Sequence, residues 1–82
     1  MNKPEILKTI NSILCDIFND PKLVVSENTS AQNIERWDSI AHVNILMTVE
    51  RTFQVRFSLG EIKQLRNVGE MVSLIYAKTE NK

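Results

Sequence analysis

Apolar residues recur along this chain at three- and four-residue steps and rarely alternate with polar ones, a pattern that predicts helices throughout. From about Lys3 to Asn19, Ile6, Leu7, Ile10, Ile13, Leu14, Ile17 and Phe18 share one face of a helix. Asn2 followed by Glu5 predicts a capping box at its start, Pro4 suits its first turn, and Asp20-Pro21 is the expected stop. A long connection follows, Lys22 to Trp37. Leu23, Val24, Val25 and Ile34 are its expected apolar anchors, and Ser26-Glu27-Asn28-Thr29-Ser30 is turn chemistry. So long a connection in a small domain is either functional or packed along the body as an ordered crossing.

A second helix is expected from Asp38 or Ser39 to about Phe53. The third is short: Ser58 and Glu61 make another capping box, with Leu59, Ile62 and Leu65 on its apolar side. Asn67 and Glu70 repeat the capping pattern ahead of a fourth helix, whose inward stripe is Val68, Met71, Val72 and Ile75. Tyr76 also reads as packing of that helix, and Lys78 to Lys82 as a polar, frayed tail. The expected fold is all-α, a small four-helix bundle with three longer helices, one short third helix and a long first loop.

The second helix is unusual in carrying two apolar stripes. Ile45, Leu46, Val49 and Phe53 cluster as the core face. Ile40, Val43 and Met47 form a separate stripe roughly a third of a turn or more away. One stripe suffices for a small bundle. The other is either covered by the third helix or left as a docking surface.

Composition narrows the function. With 82 residues the chain is long enough for one core and too short for two, so residues 1–82 form a single expected domain. Ten Lys and Arg balance ten Asp and Glu and are interleaved with them along the chain, which argues against nucleic-acid binding and against a membrane-surface helix. No apolar run is long enough to span a membrane, and Met1 to Glu5 lack a signal-peptide stretch, so a cytoplasmic address is expected. The single Cys15 excludes an internal disulfide and falls on the polar side of the first helix, where an exposed thiol is expected. The sequence places no metal cluster, no base paired with a nucleophile and no Gly-rich phosphate loop, so the chain is not read as an enzyme. His42 points the same way as Val49 and Phe53, which suits a structural hydrogen bond to the long loop. Trp37 is expected to anchor that loop's end. Arg36, Arg51, Arg56 and Arg66 read as solvated charges, the first and second within reach of a partner.

The candidate chemistry lies at Asp38-Ser39. Both are ordinary N-cap residues, and the positive end of a helix favours an anion beside them. A phosphodiester on Ser39 Oγ would sit in that field. Asp38 is placed to cap the helix and to hold a divalent metal or orient the hydroxyl during a transfer reaction.

Ile34-Glu35-Arg36-Trp37-Asp38-Ser39-Ile40-Ala41-His42-Val43, followed by Val49-Glu50-Arg51-Thr52-Phe53 and later Glu61-Ile62 and Asn67-Val68-Gly69-Glu70-Met71-Val72, resembles the acyl carrier protein family. That family has Asp-Ser-Leu at the start of its second helix, then apolar positions, a Glu and a closing Phe. The resemblance implies a non-catalytic carrier with 4′-phosphopantetheine attached to Ser39 by a phosphopantetheinyl transferase, Asp38 contacting transferase and metal. Acyl or aminoacyl units, loaded by a ligase or acyltransferase, would be held as thioesters and presented to a downstream synthase or transferase. Ile40, Val43, Met47 and Glu50 would meet these partners, and the carrier would act as a monomer. Arg36 stands where many members have Gly, and Ile40 where most have Leu. The second helix also lacks the carboxylates of housekeeping fatty-acid carriers, which points to a specialised pathway. The rival readings are an unmodified interaction module on the same fold, against which the intact Asp38-Ser39 pair speaks, and a small DNA-binding domain, against which the charge balance speaks.

Overall fold

A computed structural model describes residues 2–80, and they form four helices: α1 (Lys3–Ile17), α2 (Ser39–Phe53), α3 (Leu59–Gln64) and α4 (Val68–Glu80). α1 starts where its local chemistry dictates. Asn2 Oδ1 accepts from the Glu5 amide at 2.9 Å, and Glu5 Oε1 accepts from the Asn2 amide at 3.1 Å. It stops earlier than Asp20-Pro21 suggested. Asn19 adopts φ 52°, and the amides of Asn19 and Asp20 turn back to the carbonyls of Asp16 and Cys15. These two bonds form a Schellman motif, which satisfies the last carbonyls of the helix.

α1 packs against both α2 and α4. Ile6, Ile10 and Leu14 from α1, Ile45 and Val49 from α2, and Val68, Met71, Val72 and Ile75 from α4 are almost wholly removed from water. Each such side chain contributes about 1.5–3 kcal/mol relative to an exposed one. The stripes expected on α2 and α4 are the buried ones. The apolar side expected of α3 is only partly so: Leu65 is buried and Ile62 half-buried, but Leu59 is 71% exposed. α3 spans six residues, less than two turns, which limits how many apolar residues it can aim inward.

The long connection is an ordered crossing pinned at three places. At its start, Asn11 of α1 donates from Nδ2 to the Leu23 carbonyl at 3.1 Å and accepts the Val25 amide at 2.7 Å. Cys15 joins this clamp, its thiol donating to the Leu23 carbonyl at 3.2 Å, so it is a half-buried, bonded group and not the exposed thiol expected. In the middle, the first turn of α4 donates to the loop: Val68 N–H to the Thr29 carbonyl and Gly69 N–H to the Glu27 carbonyl. Asn67 Oδ1 takes the next amide, that of Glu70. Free helix-start donors are thus used to hold a distant segment. Gly69 is required by this approach, since a Cβ there would lie 2.9 Å from the Glu27 carbonyl oxygen. At its end, Trp37 is buried against Phe18, with ring centroids 6.3 Å apart. Of the expected anchors, Val25 is buried and Leu23 and Ile34 pack partly on the core, whereas Val24 is 85% exposed. Neighbours in an extended segment face opposite ways, so Val24 is turned out when Val25 is turned in.

The C-terminal segment departs from expectation too. α4 continues through Lys78 to Glu80, and Lys78 Nζ lies 3.0 Å from Glu61 Oε2, tying α4 to α3. Asn81 and Lys82 of the expected tail lie outside the described residues. No helix among the described residues is long and apolar enough to cross a membrane.

Candidate functional site

Asp38 and Ser39 lie where the long connection meets α2. Asp38 has extended backbone and is the N-cap; its Oδ1 accepts the Ala41 amide at 2.8 Å and its carbonyl the His42 amide at 2.9 Å. Ser39 is therefore the first helical residue and not the cap. Its side chain is exposed and engages in no hydrogen bond among the described residues, leaving the hydroxyl open to reagents. The first-turn amides and the helix dipole make the space above it favourable to an anion.

His42 and Trp37 fix the wall of this end. Trp37 Nε1–H donates to His42 Nδ1 at 3.1 Å, and the two rings lie 6.0 Å apart. The bond requires Nδ1 to be unprotonated, so the neutral ring carries its proton on Nε2. Burial also pushes the His42 imidazole below its ordinary pKa. The expected structural bond from His42 to the long loop is this one.

Beside Ser39 runs an open cleft of about 640 Å³, walled by Trp37, His42 and Val43 and closed on its far side by Leu65 and Arg66. The sequence reading did not place Leu65 or Arg66 here. They come from the α3–α4 connection and meet α2 only through the fold. On the outer face of α2, Ile40 is 74% exposed and Val43 and Met47 are each 54% exposed. Of the two fates open to this stripe, cover by α3 does not occur. Glu50, expected to be a docking charge, is half-buried in a groove beside Met47, and its Oε2 accepts the Phe57 amide at 2.9 Å and so pins the segment after α2. The described residues contain no group of three or more metal-ligating side chains.

The residues at the start of α2 fit an attached phosphodiester: a free, exposed hydroxyl at a helix N-terminus and a neighbouring carboxylate already oriented by the Ala41 amide. Comparison with known proteins supports a phosphopantetheine group on this chain. The family model described as a phosphopantetheine attachment site matches residues 8–75. An acyl carrier protein of Lactobacillus acidophilus is 31% identical over 75 residues, covering 92% of this chain and 94% of its own length. One from Cyanidium caldarium is 30% identical over 82 residues, covering 100% and 95% respectively. The solution structure of a holo acyl carrier protein from Geobacter metallireducens superposes with a TM-score of 0.86 at 33% identity, covering 93% of this chain and 87% of that one.

Proposed function

The chain belongs to the acyl carrier protein family, and from that premise we propose that Ser39 is its attachment point for 4′-phosphopantetheine and that it serves a dedicated pathway. The observation that carries the reading is the exposed, unbonded Ser39 hydroxyl on the first turn of α2, one residue after the cap. When bound, the prosthetic group supplies a flexible arm ending in a thiol that holds an acyl unit as a thioester. The residues of this chain do the rest. Asp38 fixes the first turn and presents a carboxylate beside the hydroxyl, able to help hold the divalent metal used in attachment. The α2 N-terminus offers a field that suits the phosphodiester. The Trp37–His42 bond ties the end of the loop to α2 and forms part of the wall of the adjoining cleft. Tethering raises the effective concentration of the cargo at each partner active site, so the carrier accelerates a pathway without catalysing a step.

The finer reading is a single carrier domain over residues 1–82, acting as a cytoplasmic monomer. Its partners would be a phosphopantetheinyl transferase, a loading ligase or acyltransferase, and a downstream synthase or transferase. A specialised pathway is supported by α2, which has no acidic residue in its first turn and whose Glu50 is bonded to the Phe57 amide. Such a helix steers basic partners weakly.

Incubation with coenzyme A, magnesium and a broad-specificity transferase, followed by intact mass, tests the attachment. The expected result is one phosphopantetheine-sized gain, lost in Ser39→Ala while that variant melts as the parent does. A folded parent with no gain would support an unmodified interaction module. Efficient use by a housekeeping fatty-acid ketosynthase system, equal to that by a pathway ligase, would remove the specialised reading.

A further inference from the structure

The chain has four arginines and six lysines. All four arginines border the open face of α2. Arg36 shares a groove with Ile40, Arg66 shares the cleft with Val43, and Arg51 and Arg56 share a groove with Met47. None of the described lysines lines any of these three depressions. All four arginines are exposed, and the one salt bridge among the described residues is elsewhere, between Lys78 and Glu61. Among the described residues lining these depressions the carboxylates are Asp38 and Glu50, and both are hydrogen-bonded to backbone amides. Glu35, next to Arg36 in the chain, lines none of the three depressions. A chain of zero net charge has thus gathered guanidinium groups with no salt-bridge partner among the described residues around the exposed apolar stripe of α2.

We propose that this face docks a protein partner whose surface offers an apolar recess for Ile40, Val43 and Met47 surrounded by Asp and Glu side chains. The apolar stripe supplies the desolvated centre, and the arginines supply the rim that sets orientation and on-rate. Arginine fits the task because its planar fork pairs carboxylates bidentately. The partner's role in handling cargo rests on the reading of Ser39 as the tether; the docking itself does not.

The test titrates the isotopically labelled, unmodified chain with two synthetic helical peptides followed by NMR. Both carry Leu at i, i+3, i+4 and i+7; one is flanked by Glu and the other by Lys. The Glu-flanked peptide is expected to bind about tenfold more tightly, the sum of a few exposed ion pairs, and to lose that advantage at high salt. Shifts should map to α2 and its bordering arginines. Combined Arg36→Gln, Arg51→Gln and Arg66→Gln should erase the preference with the melting curve unchanged, and Arg→Glu at the same sites should invert it. Equal binding, a preference for the Lys-flanked peptide, or shifts on another face would overturn the proposal. So would tighter binding to vesicles containing anionic phosphatidylglycerol, or to a single-stranded oligonucleotide, either of which would make phosphate the recognised group. Ser39→Ala should dock as the parent does, so a failure of docking and a failure of attachment are read separately.

Discussion

α2 carries two apolar stripes of similar composition with opposite fates. Ile45, Leu46, Val49 and Phe53 are buried against the rest of the bundle, while Ile40, Val43 and Met47 are more than half exposed a fraction of a turn away. Hydrophobicity alone does not separate them. The inner stripe is covered because α1 packs on that side. The outer stripe stays open because α3 is too short to cover it. The difference teaches that folding consumes one face of this helix and leaves the other in contact with water.

The contrast breaks most directly if the inner stripe proves dispensable. Phe53→Ala should lower stability by about 3–5 kcal/mol in chemical denaturation, a large share of what a domain this size has. A loss under about 1 kcal/mol would mean that the ring is not a core element.

Next in size is the clamp that fixes the long loop. Gly69→Ala forces a Cβ against the Glu27 carbonyl and should cost about 1–3 kcal/mol, with the strongest amide-exchange increase in residues 26–30. Exchange unchanged there would show that the loop is not held by α4.

A smaller effect follows from His42. Its folded-state pKa lies below the ordinary 6.5, so the unfolded chain takes up a proton first as pH falls. Its contribution to stability is complete above about pH 6.5 and declines as pH drops from there through the lowered folded value. Protonation also removes the acceptor for Trp37. The fluorescence of this single tryptophan should therefore titrate with a midpoint below 6.5 and lose that titration in His42→Gln. A midpoint above 6.5 would contradict the burial argument.

Smallest of all should be Met47→Ala and Val43→Ala, each within about 0.5 kcal/mol of the parent in stability. Their effect belongs in binding. A stability loss near that of Phe53→Ala would erase the distinction between the two stripes. Ser39→Ala belongs with these mild changes, because Asp38 and not Ser39 caps the helix.

Elements governed by near neighbours were legible in the sequence. The boundaries of α2, the inward stripes of α2 and α4 and the capping boxes at Asn2 and Ser58 depend on residues three or four apart, and periodicity reads that range directly. The Asp38-Ser39 pair was legible for the same reason, since cap, hydroxyl and helix start are adjacent in the chain. Positions that failed were those whose partners are remote. Val24 turned out while Val25 turned in, Cys15 found a carbonyl eight residues on, and Lys78 met Glu61 where a frayed end was expected. Gathering Arg36, Arg51, Arg56 and Arg66 on one face likewise needed the helices to be docked, because separations of five to fifteen residues along the chain carry no face information across loops. Local hydrogen bonding and amphipathic spacing are written in the order of residues, whereas a surface's charge and a side chain's distant partner exist only once packing has chosen which segments touch.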